Sequence, residues 1–527
     1  MTTASSDGDA VRVSELVALM ALGADLGLGQ PMEHALRQCL VAMRIGERLG
    51  LDDNQRGALY YVGLLAWVGC HVDSYEQAKW FGDDIRLRQD KRIADFAGAT
   101  RLRFMAGHLG GDRTAFGRLQ TGVAFAADGR RTADAMIANH CFSAHQLATR
   151  LGLSDEVCRP LAQTFERWDG KGLPHGTRGA ANLLAARIVN LADVLAIYHH
   201  EGGDAAALDV ARERRGTQFD PTLVDLVCAE GPGLFDFLAG ATTWETVIAA
   251  EPVLGLTLRG PDVDTAFEAL ADFADVKSPH TLGHSRGVSR LASDAGSLLG
   301  LPAAEVTHVR RAALVHDVGR LGVSNAVWDK EGSLTPAEEE RVRLHPYLTE
   351  RMLASSPALR AYGRTAGQHH ERLDGSGYPR GTRGDAMTVA GRLLAAADAY
   401  HAKLEPRPHR PPLAPADAAG WARAEVRAGR LDGPAVDAVL EAAGHAVRRR
   451  KEWPAGLTGR EVEVLRLLAR GVPNREIAER LVISRKTANN HVEHIYAKIG
   501  VSNRARASLF AVTHGLMTVG EDGVFTP

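Results

Sequence analysis

The chain has 527 residues, 45% of them hydrophobic and 24% charged, with a formal net charge of −2. That length leaves room for about three domains. The composition excludes a disordered, collagen-like or disulfide-framework protein, and the near-neutral balance argues against coating nucleic acid unless a basic segment hides inside the average.

Residues 1–16 read as a flexible N-terminus, since MTTASSDGDAVRV lacks the basic start and apolar run of a signal peptide. Cys39, Cys70, Cys141, Cys158 and Cys228 form no CxxC pair. A scattered odd set points to reduced thiols and a cytoplasmic location. No stretch reaches about 18 apolar residues, so no membrane contact is expected.

From residue 17 the chain carries one unit twice. ERWDGKGLPHGTRGA from Glu166 matches ERLDGSGYPRGTRGD from Glu371 at an offset of 205, and the same offset aligns His140 with His345. Upstream the offset is 250: His34 falls on His284, and Ala66-Trp67 on His316-Asp317. The first copy, 17–232, therefore holds 45 extra residues between about Cys70 and Ala133. Both copies read as helical, because ARIVNLADVLAIY and GRLLAAADAYHAKL place apolar residues at i, i+3, i+4 and i+7. A less periodic connecting segment, 233–262, precedes the second copy at 263–447.

The second copy presents His284, His316-Asp317, His345, His369-His370 and Asp398 in apolar helical settings. Buried ionisable groups need partners. Imidazoles with carboxylates suit two divalent first-row cations, Fe or Mn. Asp317 is the natural bridge, since each of its oxygens can reach one metal. Such a pair would activate water for attack on phosphorus. Copy one keeps His34, His140 and Asp193, but has Ala66-Trp67 and Thr164-Phe165 where the other four ligands stand. It is expected to be inactive, leaving ligand sensing, pairing or scaffolding as its role.

After the basic linker RRRKEWPAG (448–456), residues 448–516 hold fourteen Lys/Arg against six Asp/Glu, a net of +8. Thr458 and Glu461 form a capping box, Gly471 ends that helix, Asn474 caps a short helix, and Ser484 caps the next after a tight turn. Ala488, Val492, Ile495 and Ile499 share one face of the last helix. Two short helices with polar side chains turned outward on the second is a helix-turn-helix layout. This module spans 457–519, with a tail at 520–527.

HDVGR from His316, LHP at His345 and above all HHERLDGSGYP from His369 resemble the HD-GYP family, all-helical metal-dependent phosphohydrolases of the HD superfamily. The resemblance covers roughly 263–447. It implies hydrolysis of a phosphodiester such as cyclic di-GMP, with His284, His316, Asp317, His345, His369, His370 and Asp398 as metal ligands. It further implies a substrate loop at Gly377, Tyr378 and Pro379. Arg320 stands where the family's phosphate-contacting lysine is expected, and it joins Asp317 as a catalytic residue. His401 replaces a second Asp. His280 is either a ligand for a third metal or a loop histidine.

LTGREVEVLRLLARGVPNREIAERLVISRKTANNHVEHIYAKIGVSNRARA resembles the LuxR-type (GerE) DNA-binding domain over its full length. The resemblance implies base reading by Asn489, Asn490 and Glu493, phosphate contacts near Lys486, Thr487 and Lys498, and action as a homodimer on DNA. The expected fold is all-α, with tandem HD-superfamily helical domains and a small four-helix helix-turn-helix domain. The expected function is a bacterial LuxR-type regulator carrying a metal-dependent phosphodiesterase that acts on a cyclic dinucleotide or related phosphodiester. The alternative is a catalytically weak or inactive transcription factor that senses metal or nucleotide.

Overall fold

The computed structural model describes residues 10–93, 98–111, 115–239, 243–252, 255–446, 453–519 and 525–526. Helices dominate, and the only paired strands among the described residues are two-residue pieces. No helix there is long and apolar enough to cross a membrane. The chain divides into two compact units, residues 1–446 and 447–527.

The first unit contains both repeats. The 15-residue helix His34–Arg48 has its counterpart in the 15-residue helix His284–Leu298, and each begins on a ligand position after a residue in the left-handed region, Glu33 and Gly283. A buried carboxylate holds each entry. Asp25 accepts from the Ala35 amide at 3.1 Å, and Asp275 accepts from the Ser285 amide at 2.8 Å. The glycine two residues after the Ala66-Trp67 or His316-Asp317 pair recurs for a steric reason. A Cβ on Gly69 would lie 2.1 Å from the His140 carbonyl oxygen, and one on Gly319 would lie 2.1 Å from that of His345.

The repeats share one hydrophobic core. Helix Val13–Gly27 is buried almost all round, the mark of an interior helix. Its Gly23 meets the second copy so closely that a Cβ would stand 2.8 Å from Leu321 Cδ1 and 3.3 Å from Met352 Cε. The second copy's first helix, Pro261–Asp275, reciprocates: the His71 ring packs on Phe273 with centroids 4.4 Å apart, and its Nε2 lies 2.5 Å from the Phe273 carbonyl oxygen.

Several boundaries move. Residues 10–16, expected to be flexible, belong to the fold. Val11–Arg12 pairs with Thr257–Leu258, and Val13, Ser14 and Leu16 are buried. The reason is tertiary, since the strand that pairs with Val11–Arg12 lies in the connecting segment. That segment also carries helix Thr243–Ala249. Residues 1–9 lie outside the described residues, as do 447 at the end of the second copy, 448–452 of the linker and 520–524 and 527 of the tail.

The second unit holds helices Gly459–Ala469, Asn474–Arg480, Arg485–Ile499 and Arg504–Thr513 around a core that includes Val464, Leu465, Ile477 and Ile495. Trp453, assigned to the linker, packs against that core. The Thr458–Glu461 capping box forms in both directions, and Ser484 caps the third helix. Asn474 does not cap. Pro473 occupies that position, and the Asn474 side chain instead donates to Asn489 Oδ1 at 2.9 Å.

Gly69→Ala should destabilise the first unit by about 1–3 kcal/mol, the range for overpacking a filled interior. A lowered denaturation midpoint, read by a probe confined to that unit, is the expected result, although the substitution lies outside the copy with the complete ligand set.

Candidate metal centre and DNA-reading helix

The seven ligands named from the sequence converge. His284 opens its helix, His316 and Asp317 follow the helix Ala303–Leu314 and lead into the turn Val318–Gly322, and His345 opens the helix His345–Ala354. His369-His370 follow the helix Arg360–Ala366, and Asp398 lies inside Val389–Leu404. All but His370 are at most 4% exposed.

Backbone carbonyls orient three of the rings. His316, His345 and His369 each donate through Nδ1, to Ala313, Val342 and Ala366 at 2.7, 2.5 and 2.6 Å. A ring that spends its proton at Nδ1 presents a bare lone pair at Nε2. His316 Nε2 is buried without a hydrogen-bond partner. His345 and His369 face each other Nε2 to Nε2 at 3.0 Å. Two lone pairs so close repel unless a cation lies between or beside them.

Asp317 stands at the centre. Its Oδ1 lies 3.3 Å from His345 Nε2 and 3.6 Å from His369 Nε2, while its Oδ2 lies 3.6 Å from His316 Nε2 and 3.8 Å from His284 Nε2. Asp398 divides in the same way, Oδ1 at 3.2 Å from His284 Nε2 and Oδ2 at 3.7 Å from His370 Nδ1. Burial would push both carboxyls up, but the surrounding imidazoles, with Arg320 beside Asp317, outweigh it and hold both well below the ordinary carboxylate range. Burial drives His316 down to about 4, so its imidazole is neutral at pH 7. His284 differs: against burial, bonds to Asp398 and Glu405 raise it to about 10. A proton thus holds the His284–Asp398 line, and a divalent cation there would displace it. Neutral imidazoles with ionised carboxylates are a donor set that fits divalent cations.

Arg320 donates to Asp317 Oδ2 at 3.0 Å, and its guanidinium lies over the Trp328 ring, 4.0 Å from the centroid. Tyr378 stands beside the ligands, its ring 4.8 Å from that of His370. Gly377 is obligatory, because a Cβ would lie 2.4 Å from the Arg372 nitrogen. The adjoining segment hangs on the buried Glu371, which accepts from the Arg380 and Thr382 amides, both at 2.8 Å. Glu166 does the same for His175 and Thr177 in copy one.

His280 joins no candidate metal group among the described residues. Its carbonyl is held by Arg407 and its ring turns toward Tyr75 in the first copy. The residues that gather beside His284 are His401 and Glu405. Glu405 Oε2 meets His284 Nδ1 at 2.9 Å and takes a bond from Arg407 at 2.7 Å. Sequence reasoning missed Glu405, yet a signal existed: it lies seven residues beyond Asp398, two helical turns along the same face.

In copy one, aromatic rings take two of the four lost ligand positions. Trp67 packs edge-on against Phe165 at 5.3 Å and donates to Gln38 at 2.7 Å. The remaining His34 and Asp193 pair with each other at 3.0 Å, and His140 pairs with Asp73 at 2.6 Å. Among the described residues, no candidate metal group lies in this copy.

In the second unit, Ala488, Val492 and Ile495 are buried, and Lys486, Thr487, Asn489, Asn490 and Glu493 are exposed on the opposite side of helix Arg485–Ile499. Lys486, Asn490 and Glu493 have no side-chain partner among the described residues. Thr487 meets Ser484 Oγ at 2.8 Å. Lys498 is tied inward, to Glu461 at 2.7 Å and the Gly456 carbonyl at 3.2 Å, which leaves it poorly placed as a free phosphate contact.

The HD-domain family matches residues 268–434, and the family of bacterial regulatory proteins, luxR family, matches residues 455–511. The 3'3'-cGAMP-specific phosphodiesterase 3 of Vibrio cholerae is 31% identical over 402 residues, 76% of this chain and 87% of that protein. The chain belongs to the HD-GYP family of HD-domain phosphodiesterases. It joins to that enzyme fold a C-terminal LuxR-type helix-turn-helix domain, and it is a metal-dependent phosphodiesterase. A solved structure of a cyclic GMP-AMP specific phosphodiesterase of V. cholerae aligns with TM-score 0.58 and 27% identity, covering 83% of this chain and 99% of that one. A cyclic di-GMP phosphodiesterase of Thermotoga maritima is 33% identical over 147 residues, 28% of this chain and 40% of that protein.

Asp317→Ala should lower the metal content of the purified protein, read by elemental analysis, because it removes the carboxylate shared by both groups of histidines. Metal content equal to that of the unmodified protein would refute the bridging role. Lys486→Ala should weaken binding to every DNA sequence and reduce the salt slope by about one counterion. Asn490→Ala should shift base preference in a binding-site selection instead.

Proposed function

We propose that residues 263–447 hydrolyse a phosphodiester bond of a cyclic dinucleotide, and that this event or the binding that precedes it governs DNA recognition by residues 457–519. The observation that carries the reading is the division of Asp317, one oxygen toward His345 and His369, the other toward His316 and His284. The relatives' names support a cyclic dinucleotide as substrate.

In this reading two divalent cations, Fe or Mn, are held by His284, His316, Asp317, His345, His369, His370 and Asp398. When bound they supply a nucleophile at neutral pH and neutralise charge on the phosphoryl oxygens. The protein's own groups do the rest. The Nδ1–carbonyl bonds keep the lone pairs at Nε2 aimed inward. Glu405 fixes His284 by accepting at its outer nitrogen. Tyr378 and Gly377 wall the approach beside His370. Arg320 provides a planar cation next to the bridging carboxylate, and its fork suits a phosphate. Asn489, Asn490 and Glu493 read bases, Lys486 and Thr487 meet phosphates, and the chain acts as a homodimer on paired half-sites in a bacterial cytoplasm.

A second reading has its own support. The Arg320 guanidinium is bonded to Asp317 through Nη1 and stacked on Trp328, so part of its donor fork is already engaged by the protein itself. A domain that binds metal and nucleotide without turnover would tolerate that arrangement. Incubating the Mn- or Fe-loaded protein with 3'3'-cGAMP and cyclic di-GMP separates the two. Release of linear product, abolished in Asp317→Ala, is expected. Binding without product would establish the sensor. DNA affinity that is unchanged by nucleotide would end the proposed coupling.

A further inference from the structure

Copy one has lost the metal chemistry but kept a cleft. Trp67 and Phe165 pack on each other at two of the lost ligand positions, and a cavity of about 210 Å³ opens beside His34, a ligand position that copy one retains. At the 205 and 250 offsets of the repeat, Gln30 stands for His280 and His200 for Glu405. Gln30 and His200 both line the cavity.

The walls have a definite chemistry. Met32 and Ile197 give an apolar side, Gln30, Gln89, Arg37 and His200 give a polar one, and the exposed Glu201 stands at the rim without an ion pair to Arg37. Arg37 is half-buried and makes no ion pair or side-chain hydrogen bond among the described residues, whereas its neighbours Arg44, Arg48 and Arg56 each hold a carboxylate. A guanidinium at a cavity wall without a counter-ion suits a phosphate, which it can grip with two parallel N–H bonds. Each glutamine amide offers both a donor and an acceptor, as the edge of a nucleobase requires.

The cavity also touches the catalytic copy's support. Gln89 belongs to helix Asp84–Ile93, part of the insertion that copy two lacks. The turn at Gly29 rests directly on this helix, since a Cβ there would lie 2.9 Å from Ile85 and 3.4 Å from Gln89. The start of the same helix is bonded into copy two. Asp84 is fully buried and accepts from Ser324 Oγ at 2.6 Å and the Asn325 amide at 2.7 Å, with Lys277 Nζ 3.6 Å away. Lys277 in turn donates to the Leu321 carbonyl at 3.2 Å. Ser324 and Asn325 end the turn that begins at Asp317 and carries Arg320.

We propose that this cavity is an effector site for a small organic phosphate of the nucleoside monophosphate class, and that helix Asp84–Ile93 passes its occupancy to the 317–325 turn of the catalytic copy. The effect on rate rests on the hydrolase reading above; the binding and its transmission do not. The test is amide hydrogen exchange on the full chain with and without GMP. Slower exchange is expected at 28–37, 84–93 and 318–325. Arg37→Ala, a change at a half-exposed side chain, should weaken GMP binding by about tenfold or more and remove all three protections. Asp84→Asn should keep protection at 28–37 and lose it at 318–325. No protection by GMP at millimolar concentration would overturn the site. Protection that persists in Arg37→Ala would place the nucleotide elsewhere and overturn it equally. Undiminished protection of 318–325 in Asp84→Asn would overturn the transmission.

Discussion

One buried carboxylate sets the terms for the catalytic copy. Asp317 is 3% exposed and ionised in an interior where an unpaired charge would cost several kcal/mol. Its position is tolerable because histidines from four separate segments, with Arg320, surround it. Each segment contributes by a local device: His284 and His345 each open a helix, and backbone carbonyls fix the His316, His345 and His369 rings. The turn after Asp317 must pass against His345, which only a glycine at 319 allows. The elements are held to each other by what their side chains need electrostatically as much as by apolar packing.

The loss of that constraint explains copy one. Without the carboxylate at position 67, the histidines and aspartates that remain pair with each other, and Trp67 and Phe165 replace ionic cohesion with ring packing. The loop supports survive unchanged, Glu166 matching Glu371 and Asp25 matching Asp275. The scaffold therefore outlived the chemistry, and the shared core shows why. The first helix of each copy packs against the turn that follows the other's ligand pair, so copy one cannot be removed without exposing the support of the Asp317 turn.

The C-terminal unit obeys different rules. It is small, closed around its own core and built from capped helices. Its fourteen Lys/Arg and eight Asp/Glu give a net of +6, against −8 on the rest of the chain. Near-neutral net charge is thus the sum of an acidic enzyme unit and a basic LuxR-type helix-turn-helix unit.

The sequence by itself determined the helical class, the duplication, the ligand types and the helix-turn-helix punctuation. These are properties of spacing and residue chemistry, carried by a few neighbouring positions. HHERLDGSGYP could be read without knowing what lies beside it. Tertiary structure decided which partners those groups meet. Nothing local shows that Lys498 is claimed by Glu461, or that Asn474 reaches across to Asn489 instead of capping its helix. Nor does any local pattern show that Val11–Arg12 finds a strand 246 residues away. Partner choice for a charged or hydrogen-bonding group depends on which distant atoms arrive within about 3 Å, and that is fixed only once the chain has packed.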